Sequence, residues 1–217
     1  MISFDLRGHG DSEKPEHVDY TIEKFSEDLR KLMESLNITS AVLVGLSMGG
    51  AIVQRFALDH PNLVRALILV GTTAYGLGPM VQAKNVINRI DEIGIEEASK
   101  EVIRHSFSST TSQSVVKWAE NEVIKTPKHV AKQAIRSLDS FDVRQEIHSL
   151  NIPTMIIVGE EDDITPVKES EYLYDNIKGS ELYIISKAAH FPMLEQPFEF
   201  NSHMLKFLSG LPVFELH

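Results

Sequence analysis

Val42-Leu43-Val44-Gly45-Leu46-Ser47-Met48-Gly49-Gly50-Ala51-Ile52-Val53 is an apolar run interrupted by one Gly-X-Ser-X-Gly turn and resumed directly after it. The pattern reads as a strand that turns sharply into a helix, with Ser47 at the corner. A serine hydroxyl is a weak nucleophile, so it must be presented to a base and to donors for the oxyanion it creates. The corner provides the presentation. Glycines at 45 and 49 are expected where a Cβ would collide with neighbouring backbone. The N–H of Met48, at the start of the helix, is expected to face developing negative charge. A phosphate-binding loop is the rival reading of such a turn, but neither Gly-Lys-Ser/Thr nor Gly-X-Gly-X-X-Gly occurs here.

On either side of the corner, apolar strands alternate with amphipathic helices. Thr21 is a suitable N-cap for a helix carrying Ile22, Phe25, Leu29, Leu32, Met33 and Leu36 at three- and four-residue spacing, closed by Asn37. Ala66-Leu67-Ile68-Leu69-Val70-Gly71 reads as a buried strand, as do Thr154 to Gly159 and Leu182 to Ile185. Helices follow from Val167 to about Ile177, before Gly179, and from Pro197 onward. This rhythm predicts an α/β fold with a mostly parallel sheet flanked by helices. Met1 to Leu6 is expected to form a short buried strand leading into a turn marked by Gly8 and Gly10. From 78 to 150 the strands vanish and only helical periodicity remains. That block is expected to be a helical cap inserted into one discontinuous core of residues 1–77 and 151–217.

Composition excludes several classes. A chain of 217 residues with formal charge −10 suits neither nucleic acid nor an anionic membrane surface as partner. Without cysteine there is no thiol nucleophile, disulfide framework or Cys-ligated zinc. No leader pattern and no membrane-length apolar run is present, so a cytoplasmic protein is expected, and nothing calls for a metal or cofactor.

A serine nucleophile needs a neutral imidazole, and the imidazole needs a carboxylate to fix its tautomer. In parallel sheets functional groups gather beyond the carboxyl ends of strands. Ser47, Asp162 and His190 all fall there, in the order Ser, Asp, His. Asp163 is the alternative acid, since neighbouring carboxylates in one loop are hard to separate by spacing.

With these residues in place the chain resembles the α/β-hydrolase family over its whole length. The resemblance rests on Asp5-Leu6-Arg7-Gly8-His9-Gly10-Asp11-Ser12, Gly45-Leu46-Ser47-Met48-Gly49-Gly50, Gly159-Glu160-Glu161-Asp162-Asp163-Ile164-Thr165-Pro166 and Ala189-His190-Phe191-Pro192, in the family's order. It implies hydrolysis of carboxylic esters or lactones through an acyl-enzyme, and it places the acid at Asp162. The spelling around Ser47 is similar to enol-lactonases, C–C bond hydrolases and small esterases; haloalkane dehalogenases carry Asp at that position. Phe191, Trp118, Met80 and Phe141 are the candidate pocket residues.

The resemblance also implies a shortfall. The family's second oxyanion donor comes from a loop, typically containing His-Gly, before the Asp-Leu-Arg-Gly-His-Gly segment, and about three of its first strands are not matched here. His9-Gly10 reads as a structural turn. The expectation is that the strand at Met1 pairs with residues 41–44, or that a second copy in a homo-oligomer covers the open N-terminal sheet edge. Loss of one oxyanion donor would slow turnover by about 100- to 1000-fold. A non-catalytic binding or scaffold module of the same fold is the rival expectation.

Overall fold

The computed structural model describes residues 1–77 and 81–212. Four strands, β1 (Ala41–Leu46), β2 (Val64–Val70), β3 (Thr154–Gly159) and β4 (Glu181–Ile185), form one sheet in the order β1-β2-β3-β4. Each neighbouring pair is parallel. All carboxyl ends therefore lie along one edge, where the loops after β1, β3 and β4 meet.

Alternation along the central strands divides the core. Leu67 and Leu69 of β2 face one side, packed with α1 (Ile22–Ser35), α2 (Met48–Asp59) and Leu173. Ala66, Ile68 and Val70 face the other, covered by Phe200 and Phe207. Burial on both faces is why these strands are almost uninterrupted Val, Ile and Leu. Helix α1 starts as its sequence demands: Thr21 Oγ1 accepts the N–H of Lys24 at 3.3 Å. It ends at Asn37, whose φ of +54° reverses the chain.

Between β2 and β3 lie four helices, α3 (Ala83–Ile93), α4 (Ile95–His105), α5 (Gln113–Val123) and α6 (Lys128–Ser140), with no strand among the described residues. Ion pairs bind this group to itself. Arg89 of α3 meets Glu101 of α4 at 2.6 Å, and Asp91 of α3 meets Lys128 and Lys132 of α6 at 2.7 Å. Those two lysines hold the Asp91 carboxyl at about 2. The chain closes with α7 (Val167–Asn176), the four-residue turn α8 (Pro192–Glu195) and α9 (Pro197–Gly210).

Residues 1–6 correct the first expectation. They form no strand, and Met1, Ile2 and Phe4 are exposed. Among the described residues β1 pairs with β2 alone, and residues 1–6 do not reach its free edge, so their backbone groups join no ladder. The far edge of β1 is open, and Val44 on it is 54% exposed.

Of the two corner glycines, Gly45 is confined by backbone as expected and Gly49 is not. A Cβ on Gly45 would lie 2.3 Å from the carbonyl oxygen of Gly49, whereas a Cβ on Gly49 would meet nothing within 4 Å. The second tight position is Gly50, whose Cβ would fall 2.5 Å from Thr72 Cβ, because there the new helix crosses the chain leaving β2. Gly45→Ala is expected to destabilise by about 1–3 kcal/mol through overpacking against backbone, and Gly49→Ala by less than about 0.5 kcal/mol. Urea unfolding of the two variants measures the difference.

Candidate active site

Ser47 sits between β1 and α2 with φ 52° and ψ −119°, a conformation that L-residues avoid. Hydrogen bonds to the neighbouring strand hold it there. Ser47 N–H donates to Val70 O at 2.9 Å, and Thr72 Oγ1 donates to Ser47 O at 2.8 Å. The Ser47 hydroxyl itself makes no hydrogen bond to the protein among the described residues. Met48 is the first residue of α2, so its N–H is one of the orphan donors of the helix N-terminus.

Asp162 and His190 are brought together by close approach of the loops after β3 and β4. A Cβ on Gly159 would lie 2.1 Å from Ala189 O, and Glu161 N–H donates to Ala188 O at 2.8 Å. Lys187, with φ +58°, turns the chain into this contact. The result is a His190 Nδ1 to Asp162 Oδ2 separation of 2.8 Å, with both residues buried. Asp162 is fully engaged. Its Oδ1 accepts the N–H groups of Ile164 at 2.9 Å and Thr165 at 2.8 Å, and its Oδ2 also accepts Thr165 Oγ1 at 2.9 Å. With Oδ2 accepting from Nδ1–H, Nε2 is left as the basic nitrogen. Gly71, with φ +45°, leaves room for the pair, since a Cβ there would stand 3.1 Å from Asp162 Oδ2. Asp163 is exposed.

Ser47, Met48 and His190 line one cavity of about 590 Å³. Among the described residues no Ser47–His190 hydrogen bond is formed; such bonds often tighten only when substrate is bound. The wall is largely aliphatic, with Val86 and Ile90 from α3, Val102 and Ile103 from α4 and Ile135 and Leu138 from α6. Of the candidate pocket residues, Phe191 lines the cavity. Trp118 does not: it is 54% exposed on the outer side of α5. Phe141 does not line it either, being buried beside the core just after α6, where its carbonyl accepts Gly76 N–H at 2.7 Å. Met80 lies outside the described residues.

Sequence reasoning passed over three contributors. His9, read as part of a structural turn, also lines the cavity. Its Nδ1 lies 3.0 Å from Arg7 O, and burial lowers its pKa. Thr165 and Glu195 were not singled out. The second had a signal: Pro192 followed three residues later by a glutamate is the opening of a helix.

The model of the alpha/beta hydrolase fold matches residues 1–93 and 96–197. The chain belongs to the α/β-hydrolase family. This hydrolase is 28% identical to 3-oxoadipate enol-lactonase 2 of Acinetobacter baylyi over 205 residues, covering 93% of the chain and 75% of the relative. It is 28% identical to 2-hydroxy-6-oxo-6-(2'-aminophenyl)hexa-2,4-dienoic acid hydrolase of Metapseudomonas resinovorans, covering 96% of the chain and 73% of that protein. Among solved structures, the enol-lactonase from Burkholderia xenovorans superposes with a TM-score of 0.86 at 26% identity, over 94% of this hydrolase and 79% of that chain. Est816, described as an N-acyl homoserine lactone degrading enzyme, gives 0.82 at 28% identity, over 94% and 80%. Among the described residues of the hydrolase no helix is long and apolar enough to cross a membrane.

Proposed function

We propose that this hydrolase cleaves small carboxylic esters or lactones bearing an apolar acyl chain, with Ser47 as nucleophile, His190 as base and Asp162 as the carboxylate that orients it. The observation that carries the reading is the buried His190–Asp162 pair at 2.8 Å opening on the same cavity as Ser47. Ser47 Oγ attacks the carbonyl carbon while His190 Nε2 takes its proton, and Asp162 stabilises the imidazolium that forms. The Met48 N–H faces the oxyanion at the helix start. The imidazolium then protonates the leaving oxygen. A water, deprotonated by the same imidazole, releases the acid from the acyl-serine. The relatives named as enol-lactonases and as a lactone degrading enzyme support this class of bond. In this reading α3 to α6 act as a cap whose aliphatic inner side receives the acyl chain.

A series of p-nitrophenyl esters from acetate to octanoate tests the proposal. Each methylene that enters the aliphatic wall adds about 0.8 kcal/mol of burial, so kcat/KM is expected to rise by up to about fourfold per methylene until the cavity fills. A flat series overturns the acyl-chain assignment. Tight binding of the esters without release of p-nitrophenol supports the non-catalytic module instead.

A further inference from the structure

The Glu195 carboxylate lies at the end of α8 and has four hydrogen-bond donors, two on each oxygen. Its Oε1 accepts the N–H groups of Ala189 at 3.0 Å and Phe191 at 3.2 Å, the residues immediately before and after His190. Its Oε2 accepts the N–H of Ser108 at 2.8 Å and the hydroxyl of Thr111 at 2.9 Å, both in the connection between α4 and α5. One side chain therefore grips the backbone on both sides of the imidazole and ties it to the helices that wall the cavity. Two further contacts join the same segments. His190 N–H donates to Ser106 O at 3.0 Å, and the Phe191 ring stacks on Phe107 with centroids 4.8 Å apart. Phe191 and Leu194 also pack on Ile103, Phe107 and Ala119, an apolar cluster separate from the two that flank the sheet.

We propose that Glu195 is a positioning residue for His190, and that through it the seating of the α4–α5 connection sets where the imidazole stands relative to Ser47. This rests on the role proposed above for His190. The physical case is one of accounting for donors. The backbone around His190 belongs to no strand or long helix, so the N–H groups at 189 and 191 find no ladder partner. A charged acceptor fixes both at once, and charge-assisted bonds are stronger than neutral ones. Without it the loop is free to shift, and displacement of a catalytic group by an ångström costs about 100-fold in rate.

Two substitutions separate the sides of the carboxylate. Glu195→Met keeps length and packing but leaves all four donors without an acceptor. Glu195→Gln keeps one oxygen for the N–H groups of Ala189 and Phe191 and turns its amide toward Thr111 Oγ1, which can accept; only Ser108 N–H loses its partner. With p-nitrophenyl butyrate, Glu195→Met is expected to lower kcat by about 100-fold with KM nearly unchanged. Glu195→Gln is expected to lower kcat less, again with KM nearly unchanged. Circular dichroism melts fix an assay temperature at which each variant is folded. Wild-type kcat in folded Glu195→Met, or a loss that falls on KM and not on kcat, overturns the proposal. Should Glu195→Met fail to fold, the same result in Glu195→Gln overturns it. Ser47→Ala in parallel keeps the two readings apart. Turnover retained in Ser47→Ala overturns the proposed function, whereas turnover lost there and unaltered in the Glu195 variants overturns the positioning role alone.

Discussion

Ser47→Ala is expected to reduce turnover of a p-nitrophenyl ester by on the order of 10⁶-fold, the scale seen when the nucleophile of a serine hydrolase is removed. Stability is expected to be almost unaffected. Alanine retains the Cβ and so bears the same backbone strain at φ 52°, ψ −119°. The deleted hydroxyl has no protein partner among the described residues, so its loss leaves no buried donor unmet. Steady-state assays beside a thermal melt separate the two quantities. Equal turnover in the two proteins would remove Ser47 from the chemistry.

Asp162→Asn is expected to lower kcat by about 10⁴-fold. The backbone around the acid dictates how an asparagine would sit. Two N–H groups, from Ile164 and Thr165, point at the Oδ1 position, so the amide oxygen is held there and the NH₂ falls where Oδ2 meets His190 Nδ1. An amide donor facing Nδ1 forces that nitrogen to accept, which places the ring proton on Nε2 and leaves no lone pair for the Ser47 hydroxyl. The same substitution at exposed Asp163 is expected to leave kcat within about twofold of wild type, as for surface changes that touch no partner. If Asp162→Asn retains wild-type kcat while Asp163→Asn does not, the acid has been placed one residue too early. A thermal melt distinguishes a tautomer defect from unfolding, since only the former keeps the melting temperature.

Elements buried on both faces were the most legible in the sequence. The β2 and β3 runs are almost wholly aliphatic because each strand is covered on both sides, and that pattern survives without knowledge of any neighbour. Placement at the carboxyl ends of parallel strands likewise singled out Ser47, Asp162 and His190, which the structure brings to one end of the sheet. What depends on a distant neighbour was not legible. Residues 1–6 carry strand-like side chains, but a strand also needs a partner beside it, and these residues do not pair with the free edge of β1. Gly49 and Gly50 differ only in which of them meets Thr72, twenty-two residues beyond Gly50. Trp118 and Phe141 were named as pocket candidates, but the sequence did not say whether each faced cavity, core or solvent. Glu195 could be read as a helix-opening residue but not as a partner of the α4–α5 connection, since two of its four donors lie more than eighty positions earlier.

The backbone of Ser47 has a consequence for how such a sequence changes over generations. Its conformation costs about 1–3 kcal/mol for any residue with a side chain and very little for glycine. At position 47 selection for folding alone therefore pulls toward glycine, and only selection for a reactive hydroxyl pulls back. Descendants relieved of the need for chemistry gain stability by a single substitution at the very corner around which the sheet is built. A serine at this position in a related sequence is thus a record of continued use, and a glycine there is the mark of a lineage that has kept the fold and let the reaction go.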